Sequence, residues 1–144
     1  MTTDERSAGP ATGPSATVVV GAALVRDGRL LVQQRAFPED VAGLWEIPGG
    51  RVEPGETDVE GLRRECREEL GVDVVVGDRV GAEVTLPNGM LFRVYAVTLD
   101  GDVEPRAVEH RALRWVTAAE LVELDWLPAD QAFLPDLLAR ISPE

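Results

Sequence analysis

Lysine is absent from this chain: all 14 basic residues among its 144 are arginine. A phosphate-bearing ligand would therefore rest on guanidinium groups, backbone N–H groups or a metal ion. Cysteine is almost absent. Cys66 stands alone, which excludes an internal disulfide and a cysteine-based zinc site. A single histidine, His110, excludes a histidine-rich metal centre. No apolar run approaches the roughly 20 residues needed to span a bilayer. The N-terminal stretch holds no apolar signal core, so a cytoplasmic location is expected and no membrane partner. Positive charge is scarce. With 26 acids the net charge is −12, which argues against a nucleic-acid polymer as partner.

What is present is the material of one globular domain, 44% hydrophobic. Residues 1–15 are polar with Gly and Pro and read as a disordered tail. Residues 16–144 read as the domain. β-branched runs over 17–25, 29–35, 72–76, 80–86, 91–99 and 112–116 read as strands. Asp27-Gly28 and Pro87-Asn88-Gly89 read as turns, the latter a hairpin. Residues 131–141 carry Phe133, Leu134, Leu137, Leu138 and Ile141 at helical spacing and read as a terminal helix. Strands, a central helix, more strands and a final helix imply an α/β protein: a mixed β-sheet covered by helices on both faces.

The central helix has the clearest boundaries. Thr57 and Glu60 form a capping box, and Gly71 is the expected C-cap. At about 100° per residue, three faces separate. Val59, Leu62, Cys66 and Leu70 would face the core, and Glu60, Arg63 and Arg67 the solvent. Glu65, Glu68 and Glu69 share the third face with Gly61. Three carboxylates at this spacing repel one another by a few tenths of a kcal/mol per pair. They also occupy the end of the helix dipole that disfavours anions. A divalent cation reverses both penalties, and hard oxygen ligands suit Mg²⁺ or Mn²⁺. Gly61 would then leave room for a ligand near the backbone. The plain alternative is a solvated charged helix neutralised by Arg63 and Arg67.

Residues 50–72 read GRVEPGETDVEGLRRECREELGV. This resembles the Nudix box, G-x5-E-x7-R-E-U-x-E-E-x-G-U with U apolar. Gly50, Glu56, Arg64, Glu65, Glu68, Glu69, Gly71 and Val72 match, and Cys66 occupies the first U. The resemblance implies an α/β/α sandwich with the box as loop–helix–loop. It implies metal-assisted cleavage of a nucleoside diphosphate linked to another group. Carried onto this chain, the metal ligands would be Glu65, Glu68, Glu69 and the Gly49 carbonyl, with Glu109 joining them. Glu56 and Arg64 would form an ion pair fixing the loop to the helix. Glu109 is the first choice of general base and a box glutamate (Glu68 or Glu69) the second. Arg35 matches a phosphate-contacting arginine of similar proteins.

The segments AGLWEIPGGRVEPGET, EHRALRW and LPAD resemble the small triphosphate-cleaving members, the MutT-type 8-oxo-dGTP diphosphatase and CTP pyrophosphohydrolase branch. The expected reaction is Mg²⁺-dependent hydrolysis of an oxidised or pyrimidine (d)NTP to monophosphate and pyrophosphate, by a monomer or homodimer. Asp130 falls where MutT-type enzymes carry an Asn that reads the base; it could instead cap the terminal helix. Trp126 would line the base pocket or join the core. Either Phe92 or Arg93 would face the cleft. His110 would be structural or solvent-facing. Rival readings are cleavage of another nucleoside diphosphate compound such as ADP-ribose, and nucleotide sensing without turnover.

Overall fold

Local capping chemistry sets where two of the helices begin. In the computed structural model, which describes residues 17–141, Thr57 Oγ1 accepts from the Glu60 N–H at 3.1 Å. Glu60 Oε1 accepts from the Thr57 N–H at 2.9 Å. The helix that follows, α1 (Asp58–Leu70), stops at Gly71, whose left-handed φ of 71° a side chain would resist. Thr117 and Glu120 repeat the box before α2 (Ala118–Leu121). The expected tail, residues 1–15, lies outside the described residues.

Among the described residues, seven strands form one mixed sheet: β1 (Val18–Arg26), β2 (Arg29–Gln34), β3 (Trp45–Glu46), β4 (Gly49–Arg51), β5 (Val74–Thr85), β6 (Leu91–Leu99) and β7 (Ala112–Val116). The main path runs β3-β2-β1-β6-β5, with β4 on β1 and β7 on β2. β1 runs parallel to β6 and antiparallel to β2 and β4. The expected strands over 72–76 and 80–86 are a single strand. β5 stays paired with β6 across two register shifts. Gly77 and Gly81 lie at these irregularities, and Gly81 takes φ 71°.

Side chains alternate across the sheet, as the strand period of two requires. Val20, Ala22, Leu24, Leu31, Val74 and Val97 pack under Leu62, Cys66 and Leu70 of α1. Burying a Leu of this kind stabilises the fold by about 1.5–3 kcal/mol. Val59 departs from the wheel: it is 40% exposed, one turn too early to reach the sheet. The N-terminus of α1 is instead held by polar contacts. Arg93 Nη1 donates to Asp58 Oδ2 at 2.9 Å, and the Tyr95 hydroxyl donates to the same oxygen at 2.6 Å.

The opposite face packs Leu30, Val32, Phe92 and Val94 against Leu121, Phe133, Leu137 and Ile141. Phe92 and Phe133 meet edge to face, with centroids 5.1 Å apart. The terminal helix is not continuous. It divides into α3 (Pro128–Gln131) and α4 (Leu134–Arg140), because Pro135 has no N–H to continue a helix begun at 131. Helices thus cover both faces, an α/β/α arrangement.

Candidate active site

The acidic face of α1 runs from buried to exposed. Glu69 is 7% exposed and held from two sides. Gln33 Nε2 and the Gly49 N–H both donate to its Oε1, at 2.8 and 3.1 Å. Burial pushes its pKa well above the usual carboxylate range, and the nearby Glu65 and Glu46 charges add to the shift. Glu65 is raised for the same first reason, burial. Glu68 is half exposed.

Arg64 gathers the loop and the helix. Its Nε and Nη2 donate to the two oxygens of Glu56 at 2.7 and 3.1 Å, and Nη2 also donates to the Arg51 carbonyl at 2.9 Å. Nη1 lies 3.2 Å from Glu65 and 3.3 Å from Glu68. The hydrogen bonds from Arg64 hold the Glu56 pKa below its ordinary value. Two-point contacts of this kind fix orientation as well as charge. Gly61 does not open a ligand space. A Cβ there would sit 3.1 Å from Glu56 Oε1 and 3.2 Å from Val52 Cγ2, so this glycine lets the box loop close onto the helix. Gly50 is the position facing the acids: a Cβ there would overlap the Glu65 carboxylate.

A cleft of about 200 Å³ is lined by Arg35, Glu46, Gly49, Gly50, Glu69, Ala129 and Asp130. Arg35 follows β2 directly, and its Nη1 lies 3.5 Å from Glu46 Oε1. Asp130 is 5% exposed. It caps neither helix: Leu127 and Phe133 occupy the N-cap positions of α3 and α4. Its Oδ2 accepts from the Ile47 N–H at 2.9 Å, and burial pushes its pKa up to about 8. Phe92 faces the cleft. Arg93, on the other side of β6, pairs with Asp58 and Glu83.

Trp126 is a core residue, not a cleft wall. It is 4% exposed, donates its indole N–H to the Leu121 carbonyl at 2.8 Å and packs within the core on the α2–α4 side. Glu109 is exposed on the segment between β6 and β7. That segment passes the end of α1, where the Val108 N–H donates to the Glu69 carbonyl at 3.2 Å. Glu46, Gln33 and the His110–Glu46 contact escape a motif-based reading. Strand alternation alone places Gln33 on the face of Leu31, toward α1.

Among the described residues no three His, Cys, Asp or Glu side chains converge closely enough to hold a metal ion; Arg64 engages Glu65 and Glu68, and Gln33 engages Glu69. The donor set nonetheless suits a hard divalent cation. Carboxylate oxygens line one rigid helical face, two of the acids are disfavoured as anions by burial, and the lack of a side chain at Gly50 lets the Glu65 carboxylate lie against the loop backbone.

The loop–helix–loop beneath this cleft belongs to a known class: residues 15–137 match the NUDIX domain, and the chain belongs to the Nudix hydrolase family, enzymes that act on nucleotides and use divalent metal ions. A Mycobacterium tuberculosis (strain H37Rv) protein provisionally named 8-oxo-dGTP diphosphatase 2 is 51% identical over 128 residues, covering 87% of this chain and 90% of that protein. The CTP pyrophosphohydrolase of Escherichia coli (strain K12) is 38% identical over 122 residues, 84% of this chain and 90% of that one. The solution structure of the E. coli ORF135 protein superposes with a TM-score of 0.74 at 37% identity, covering 91% of this chain and 94% of the other.

Proposed function

We propose that this protein hydrolyses a nucleoside triphosphate, an oxidised or pyrimidine (d)NTP, to the monophosphate and pyrophosphate, and so cleans the nucleotide pool. One observation carries the reading: Glu69 of the acidic box, the adjoining Gly49 and Gly50, Arg35 and the buried Asp130 all line one cleft. In this reading the polyphosphate lies at the box and the base at Asp130. The names of the two relatives support the same substrate class.

Glu65, Glu68, Glu69 and the Gly49 carbonyl would hold Mg²⁺, or Mn²⁺, with Glu109 completing the set. When bound, the ion neutralises phosphate oxygens that an acidic protein repels and lowers the pKa of a coordinated water. The chain's own residues do the rest. Arg35 offers a planar guanidinium to phosphate oxygens. The Glu56–Arg64 pair fixes the loop that carries Gly49 and Gly50. Glu109, or failing it a box glutamate, takes the proton of the attacking water. In-line attack on phosphorus then needs alignment more than a special nucleophile.

Asp130 sets the base preference. A neutral carboxyl both donates and accepts, which suits a base presenting a donor beside an acceptor, as the amino group and ring nitrogen of cytosine do.

Incubation with CTP, dCTP and oxidised dGTP in Mg²⁺, with products separated, tests the reading. Monophosphate plus pyrophosphate is the expected result. Orthophosphate release, cleavage of ADP-ribose alone, or nucleotide binding without product would each refute it.

A further inference from the structure

His110 has no place in the Nudix box, yet its side chain is only 9% exposed. Its Nε2 lies 2.7 Å from Glu46 Oε2. Because a carboxylate oxygen accepts, the ring proton belongs on Nε2. Nδ1 is buried with no hydrogen-bond partner. Folding leaves such an atom orphaned only at a cost, so the Nε2 contact is what this ring position secures.

The contact joins two parts of the candidate site. Glu46 is in β3 and lines the cleft together with Arg35 and Asp130. His110 directly follows Glu109 on a segment already tied to two elements by main-chain bonds. Arg106 and Val108 N–H groups donate to the Leu70 and Glu69 carbonyls at the end of α1, at 3.0 and 3.2 Å. The Arg111 N–H donates to the Gln34 carbonyl at the end of β2, at 2.9 Å. The imidazole adds a third tie, to β3. Glu46 is otherwise steadied by a long 3.5 Å contact to Arg35, and a glutamate side chain left with that alone keeps most of its rotamer freedom.

We infer that His110 is a positioning residue for nucleotide binding: its imidazole fixes the Glu46 carboxylate in the cleft wall and ties the segment that carries Glu109 to β3. The inference rests on the reading of this cleft as the nucleotide site. It assigns His110 no contact with substrate.

A mutant cycle tests it. His110→Leu should raise KM for the cleaved triphosphate about tenfold, within the range for losing an orienting partner, with a smaller change in kcat. His110→Gln, whose amide N–H reaches about as far as Nε2, should recover most of the loss. His110→Asn, whose amide falls short, should not. In a Glu46→Ala background His110→Leu should add almost nothing. An equal penalty in both backgrounds, or no rescue by Gln, overturns the inference, because a ring that only fills space acts independently of Glu46. If the Leu variant does not fold, the Gln and Asn variants make the same comparison.

A second readout needs no activity. His110 is the only histidine, so its imidazole gives a single set of NMR ring signals. A slowly exchanging Nε2–H proton in the wild type, lost in Glu46→Ala, is expected. An identical ring signal in both sinks the contact. A wild type that cleaves no nucleotide defeats the functional reading, and this inference with it. Turnover with an additive cycle defeats the inference alone.

Discussion

Gln33 Nε2 donates to Glu69 Oε1 at 2.8 Å, linking a fully buried strand residue to the most buried acid of the box. The same oxygen accepts from the Gly49 N–H. Glu69 is therefore oriented by the strand and the loop rather than by its own helix. The amide oxygen of Gln33, Oε1, is buried without a partner, so Gln33→Leu removes one orphan while breaking one bond. These effects oppose each other, and thermal unfolding should shift little. Metal affinity should suffer instead, by roughly 10- to 100-fold, as expected when a ligand loses its orienting partner. The check is the Mg²⁺ concentration giving half-maximal turnover. An unmoved activation curve alongside a large drop in Tm would show that the bond serves stability alone.

Glu69→Gln and Glu68→Gln remove one oxygen anion each from the proposed metal set. Burial favours the neutral form of Glu69, so an amide closely imitates its state without metal. Glu68 is half exposed, and its loss costs one surface contact to Arg64. Both variants should keep the wild-type circular dichroism spectrum while pyrophosphate release falls by orders of magnitude. Wild-type rates in both would refute the assignment.

The parts of this site that were legible in sequence are the local ones. Thr57, Glu60 and Gly71 bound the helix through bonds made within a few residues, and the spacing of Glu65, Glu68 and Glu69 fixes a common face. What was not legible depends on contacts distant in sequence. Asp130 reaches the Ile47 N–H and His110 reaches Glu46, and neither local pattern announces the other. Gly61 was misread because periodicity cannot tell space left for a ligand from space filled by Val52. Trp126 showed only an aromatic near the LPAD segment; its inward packing depends on Trp45, Leu121 and the chain's path around them.

Arg64 neutralises an acidic neighbourhood, with Glu53, Glu56, Glu65 and Glu68 all within 4 Å of its guanidinium. Arg64→Gln leaves those carboxylates facing one another and frees the loop from the helix. Without divalent ions the variant should unfold at a lower temperature than the wild type. Added Mg²⁺ should raise its Tm more than it raises the wild type's, because a ligand bound only by the folded state stabilises by mass action and the bare acids gain more from a cation. Thermal scans of both proteins with and without added Mg²⁺ make the comparison. An equal Mg²⁺ increment in both would show that the cation and Arg64 do not act on the same carboxylates.

Asp130 gives the fold a pH dependence opposite in sign to that of an ion-paired carboxylate. Its pKa rises from 3.8 in the unfolded chain to about 8 in the fold, through burial. Between those values the folded protein keeps a proton that the unfolded chain has released. Stability from this group is therefore complete below the lower value and declines as pH rises through the upper one. Asp130→Asn preserves an acceptor for the Ile47 N–H and a donor for the cleft, but has no proton to lose. Relative to the wild type, the Asn variant should gain Tm steadily from pH 5 to pH 8. The same logic extends to function. Above about pH 8 the wild-type carboxyl loses its donor, so KM for a base that needs one should climb, while the Asn variant's KM stays flat. Thermal midpoints at pH 5 and 8, with KM across the same range and above it, decide the matter. A constant Tm offset and parallel KM profiles would mean that Asp130 does not hold its proton in the cleft.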